Sequence, residues 1–152
     1  MPRHTYRAQV QWAGSTGAGY QAYPRAHTAH LPPATEGLDL SADPAFRGDA
    51  DLPNPEQLLV LSASSCQLLS FLALAARAGV DVVGYEDDAS GEMPMAELPQ
   101  RITRITLRPE VVVAGATDPD LVERLLHQAH TECYIASSLT SEVVLEPTVR
   151  HA

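Results

Sequence analysis

The chain has 152 residues, enough for one compact domain that buries roughly two thirds of the surface an unfolded chain exposes. Aliphatic side chains carry the apolar content, aromatics are only 5% and charged residues 19%, a globular balance that excludes extended disorder. A formal net charge of -9 with no run of basic residues excludes a phosphate-gripping surface, so no nucleic-acid partner is expected.

Met1 to Val10 carries charges and lacks the apolar run of a signal peptide, so a cytoplasmic location is expected. Arg3 to Trp12 alternates polar and apolar residues, with Tyr6, Ala8, Val10 and Trp12 on one face, which predicts a half-buried strand. After a turn over Gly14 to Gly19, a second strand is predicted from Tyr20 to about His30, interrupted by Pro24 and therefore at an edge or a bulge. Leu31 to Pro53, rich in Pro, Asp, Ala and Gly, reads as a long functional connection.

Asn54, Pro55, Glu56 and Gln57 combine an Asn cap, Pro at the first helical position, a carboxylate at the positive helix end and a capping-box Gln. A helix is predicted from there to about Ala78, with Gly79 as its stop. No residue from Gln57 to Ala76 is charged, which raises the question of a membrane span. The scattered Gln57, Ser62, Ser64, Ser65, Gln67 and Ser70, without basic flanks or an aromatic belt, favour a buried central helix instead, and no membrane partner is expected.

Strands are predicted over Val80 to Glu86 and Arg101 to Val113, joined by Asp87 to Gln100. A helix follows from Asp118 to Cys133, capped by Thr117 or Asp118, with Val122, Leu125, Leu126, Ala129 and Cys133 on one inward stripe. Val143, Leu145 and Val149 suggest a last strand after the polar stretch Ser137 to Ser141. This order predicts an α+β fold, a curved antiparallel sheet packed on a long central helix and a second helix, in one domain: residues 1–53 strands and loop, 54–79 helix, 80–152 the remainder.

Two cysteines in a reducing compartment point to transient, catalytic or sensing chemistry rather than a structural bridge, although free Cys is also a common core residue. Cys66 lies mid-helix among apolar residues, where burial raises a thiol pKa and suppresses reactivity. The positive helix end at Asn54 is about 18 Å away along the axis, so a reactive Cys66 would need a cation, and Arg25 and Arg47 are the candidates. Glu56 is the natural carboxylate to hold such an Arg, though as a first-turn charge it needs no further role; about 15 Å of helix separates it from Cys66. The series His127, His130, Cys133 spreads about 9 Å along its helix, too far for one metal ion, and no metal site is expected.

The segment NPEQLLVLSASSCQLLSFLALAARAGV, Asn54 to Val80, resembles the first-cysteine helix of OsmC and organic-hydroperoxide-resistance proteins. HQAHTECYIASSL, His127 to Leu139, resembles that family's second-cysteine helix, and with ADPAFRGD before the first helix the resemblance covers nearly the whole chain. It implies a thiol peroxidase that reduces organic hydroperoxides in oxidative-stress defence. Cys66 would be the peroxidatic thiol, Cys133 the resolving thiol, and Glu56 the carboxylate orienting an activating Arg, Arg25 first and Arg47 next. It further implies an intertwined homodimer, an external dithiol reductant such as a lipoyl-type donor, and no cofactor. One departure stands out: Tyr134 follows the second cysteine where several members have Pro. The competing expectation is a non-catalytic protein of the same fold that binds a small ligand or senses redox state.

Overall fold

The computed structural model describes residues 1–152, which divide into two compact units, 1–58 and 59–152. The first unit holds a three-stranded antiparallel sheet of β1 (Gln9–Gln11), β2 (His27–His30) and β3 (Gly37–Leu40), paired in that order. The first two strands are much shorter than their alternation suggests, and Tyr6, Val10 and Trp12 of the supposed inward face are exposed, at 88%, 66% and 42%. Nothing in this unit gives that face an apolar partner, so the alternation has no core to act on.

The expected long connection from Leu31 to Pro53 is also corrected, because it contains β3 and a 3-10 turn at Pro44–Phe46. Its backbone is hydrogen-bonded at several points. Asp43 caps the turn by accepting from the Ala45 N–H, the Ser41 N–H donates to the Pro53 carbonyl, and the Ser41 hydroxyl accepts from the Asp49 N–H.

Helix α1 (Pro55–Arg77) starts in the first unit and runs on into the second. The predicted cap is present with both halves of the box: the Gln57 N–H donates to Asn54 Oδ1 and the Asn54 N–H donates to Gln57 Oε1, each at 2.9 Å. It stops where expected, at Gly79, whose φ of 72° is the left-handed conformation that favours glycine. α1 is long and apolar enough, by length and composition, to cross a membrane. One stripe of it packs inward through Ala63, Gln67, Phe71 and Ala75, while Leu61, Leu69 and Leu72 on another face are exposed.

The second unit continues with β4 (Val82–Asp87), β5 (Ser90–Glu92), β6 (Arg104–Leu107), β7 (Pro109–Val113), α2 (Pro119–Glu132), β8 (Glu142–Leu145) and β9 (Thr148–His151). The strand expected over Arg101 to Val113 is two, broken at Arg108, and the last strand is also two, broken at Glu146 and Pro147. The connection Asp87 to Gln100 carries β5. One sheet has the order β4-β7-β9 and the other β5-β6-β8. The predicted sheet is antiparallel; here β4·β7 and β5·β6 are antiparallel, but β6·β8 and β7·β9 are parallel, giving mixed sheets.

The two parallel ladders share one register, from Arg104 opposite Glu142 to Val113 opposite His151, so the broken strands are two long ribbons bent at matching places. Exposed ion pairs Arg104 to Glu142, Arg108 to Glu146 and Arg150 to Glu110 cross this ladder. The bend makes two cores. Phe71 and Ala75 of α1 pack with Val111 and Val113 of β7 and with Val122, Leu126 and Ala129 of α2. Ala63 of α1 packs with Ile102, Ile105 and Leu107. The helical stripe predicted for α2 is the buried one, and Cys133 at its end is 1% exposed.

Candidate functional site

Cys66 and Cys133 meet inside the second unit. α1 and α2 are tied together by Gln67, whose Nε2 donates to the Leu126 carbonyl at 2.9 Å from a fully buried side chain. α2 ends at Cys133, which caps it in an extended conformation, and the chain then winds into a 3-10 turn at Ala136–Ser138. That turn is stapled by the Ser137 N–H on the Cys133 carbonyl, and the Ala136 N–H donates to Cys133 Sγ at 3.5 Å. The reversal aims the N–H groups of Tyr134 and Ile135 at the Cys66 sulfur.

Both thiols are free, Cys66 part-buried and Cys133 buried. Burial pushes the Cys66 thiol up, but the Cys133 S–H, the Ile135 and Tyr134 N–H groups and the Ser70 hydroxyl all donate to it and hold it below the ordinary thiol range. Cys133 is displaced the other way, raised by burial first and by its hydrogen bond to Cys66 second, with the Ala136 N–H opposing. The pair is thus split into a more acidic, accessible sulfur and a more basic, enclosed one. Such a pair can supply a thiolate nucleophile and a second thiol able to condense with it.

A cavity of about 640 Å³ opens beside Cys66, lined by Leu69, Ser70 and Ala73 of α1 and by Tyr134. Its size is within the range of small-molecule pockets, and its walls are largely apolar. The residues here that sequence reasoning missed are Ser70 and the main chain of Tyr134 and Ile135. Ser70 stands one turn after Cys66, a spacing that puts both on one face, so it was findable; the two N–H groups carry no sequence signal. Ser62 and Ser64, by contrast, are engaged elsewhere, donating to the Leu59 carbonyl and to Asp87.

The other candidates belong to the first unit. Arg25 is held by its own loop, donating to the carbonyls of Tyr20 and Tyr23 and lying 4.7 Å and 3.7 Å from the centres of their rings. Arg47 is exposed and left-handed, φ 67°, at the end of the 3-10 turn. Glu56 is in the first turn of α1, where a carboxylate complements the helix end.

These features can be set beside known proteins. The family model described as OsmC-like protein matches residues 48–148. An OsmC-like protein of unknown function from Vibrio cholerae is 30% identical, with a TM-score of 0.86 over 95% of this chain and 99% of that one. The uncharacterized protein YmaD of Bacillus subtilis is 24% identical over 102 residues, covering 65% of this chain and 68% of YmaD. An organic hydroperoxide resistance protein from Legionella pneumophila has the same fold, TM-score 0.69 at 15% identity, over 98% of each chain. On the match over residues 48–148 and the similarity to the Vibrio cholerae protein, the chain belongs to the OsmC-like family.

Proposed function

We propose that the chain is a thiol peroxidase that reduces organic hydroperoxides to alcohols. The observation that carries this reading is the Cys66 sulfur, held acidic by four donors and facing a largely apolar cavity. The Cys66 thiolate attacks the terminal peroxide oxygen and breaks the O–O bond; the organic oxygen leaves, takes a proton and becomes the alcohol, and Cys66 becomes a sulfenic acid. The Cys133 thiol then attacks the sulfenic sulfur, forming the Cys66–Cys133 disulfide and expelling water. An external dithiol, such as a lipoyl-type donor, takes up the oxidation and restores both thiols. The reaction itself calls for no metal or organic cofactor.

The working unit in this reading is a cytoplasmic homodimer. The exposed leucines of α1 and, separately, the exposed Tyr6, Val10 and Trp12 are apolar side chains that a second copy would cover. Arg25 and Arg47, with Glu56 as orienting carboxylate, are the proposed activating groups, and activity of Arg25→Ala and Arg47→Ala decides between them.

The test is a thiol count with peptide mapping before and after one equivalent of an organic hydroperoxide. Loss of both thiols within seconds into a Cys66–Cys133 disulfide, reversed by dihydrolipoamide, supports the reading; Cys66→Ser consuming peroxide at the normal rate overturns it. Thiols that both survive would transfer the cavity to a second reading, a binding or redox-sensing protein, which its volume of about 640 Å³ would suit.

A further inference from the structure

Cys66, Ser70, Ala73 and Arg77 lie at steps of four, three and four along α1, so they form one stripe with the thiol at its N-terminal end and a cation at its C-terminal end. All four line the same cavity. Ser70 and Ala73 are small, which leaves a trough between the sulfur and the arginine, and Leu69 and Leu74 wall it with hydrocarbon. Arg77 is about 16 Å from Cys66 by helical rise, and a helical side chain leans back toward the N-terminus, so thiol and guanidinium are on the order of 10 Å apart.

The charges along this trough are unlike and separate. Arg101, Arg104, Arg108 and Arg150 are each ion-paired, whereas Arg77 has no carboxylate within salt-bridge distance. Glu132 also lines the cavity, but it immediately precedes Cys133 at the thiol end, and its carboxylate accepts from Gln128 at 2.9 Å. An anionic group is therefore repelled where the sulfurs are and attracted at the far end. A neutral, wholly apolar substrate would use neither charge.

We infer that Arg77 is a specificity residue that binds the carboxylate of an apolar monocarboxylic hydroperoxide, with the hydrocarbon over Ser70 and Ala73 and the peroxide delivered to Cys66. Glu132 disfavours the reversed orientation. This assignment rests on the peroxidase reading for its chemistry, while the binding of an apolar monocarboxylate stands apart from it. As a charge in the last turn of α1, Arg77 would also complement the helix end, a role that predicts a change in stability but none in substrate preference.

The experiment compares kcat/KM for linoleic acid hydroperoxide and for its methyl ester, below their micelle-forming concentrations. A charge-assisted contact should favour the acid by about ten-fold or more. Arg77→Gln should bring the acid-to-ester ratio close to unity, and Arg77→Lys should restore part of it. An acid-to-ester ratio near unity in the unaltered protein, or one that Arg77→Gln leaves unchanged, overturns the assignment. If no hydroperoxide of either kind is consumed, the peroxidase reading fails, and Arg77 is then read from calorimetric titration of oleate into Cys66→Ser. Oleate binding that Arg77→Gln weakens about ten-fold or more upholds the carboxylate site; no oleate binding, or binding that Arg77→Gln leaves unchanged, overturns it.

Discussion

The two units solve the burial problem differently. Residues 59–152 close two apolar clusters with Phe71, Ile105, Leu107, Val111 and Leu126 at or below 1% exposure. Residues 1–58 bury only Ala29, Leu40, Ser41 and Asn54, and their aromatic and aliphatic side chains Tyr6, Val10, Trp12 and Tyr20 are open. What organises the first unit is hydrogen bonding and aromatic contact: the Asp43 and Ser41 turn, the Trp12 Nε1 donation to Pro24 at 2.8 Å, and the Tyr20 and Tyr23 cage around Arg25. Sequence periodicity therefore means burial within the chain for one unit and exposed surface, available for cover by a partner, for the other.

The sharpest test pairs one substitution from each unit. Phe71→Ala should cost about 3–5 kcal/mol of unfolding free energy, as for a large side chain removed from a closed core. Val10→Ala should cost under about 0.5 kcal/mol if the chain acts alone, and more, with dependence on protein concentration, if a second copy covers Val10. Denaturant melts at two concentrations separate these cases.

A smaller effect is expected at Asp87, which accepts from the Ser64 hydroxyl and from the Arg108 N–H at the ribbon bend. Asp87→Ala should cost about 1–3 kcal/mol in the same melts. It should also lower the Tyr85 titration, because burial first and the Asp87 charge second hold that phenol far above its ordinary value. A Tyr85 midpoint that does not move in ultraviolet titration would separate the hydroxyl from this carboxylate.

Smaller again is the tuning of Cys66. Its iodoacetamide reaction should rise with pH through a midpoint below that of an ordinary thiol, and Ser70→Ala should move the midpoint up. The smallest effect concerns His130, lowered by burial first and by His127 second. Its folded pKa is depressed, so its contribution to stability is present above about pH 6.5 and lost as pH falls through the folded value. His130→Gln should flatten the loss of stability as pH falls below about 6.5.

Local chemistry was legible where it is self-contained. The Asn54 and Gln57 box, the Gly79 stop and the α2 stripe need only residues within a turn or two of each other, and each is present. The two cysteines were legible as candidates through their surrounding segments. The bend at Arg108 was not, although Pro109 marks it, because Ile105, Leu107, Val111 and Val113 keep strict alternation across the break and hide the change of sheet. Parallel pairing of β6 with β8 joins residues far apart in sequence and leaves no local pattern. Apart from Ser70, the donors that lower Cys66 come from Cys133 and the turn after α2, a meeting that no spacing within α1 could report.

The Cys133 S–H has a consequence for how the chain is studied. It donates to Cys66, so the second cysteine also sets the acidity of the first, and in the proposed reaction it condenses with Cys66 as well. Removing Cys133 changes two steps at once, and the choice of replacement separates them. A serine hydroxyl can keep the donation and lose only the condensation; an alanine loses both. The difference between Cys133→Ser and Cys133→Ala in the first reaction with peroxide thus isolates what one hydrogen bond contributes to the nucleophile.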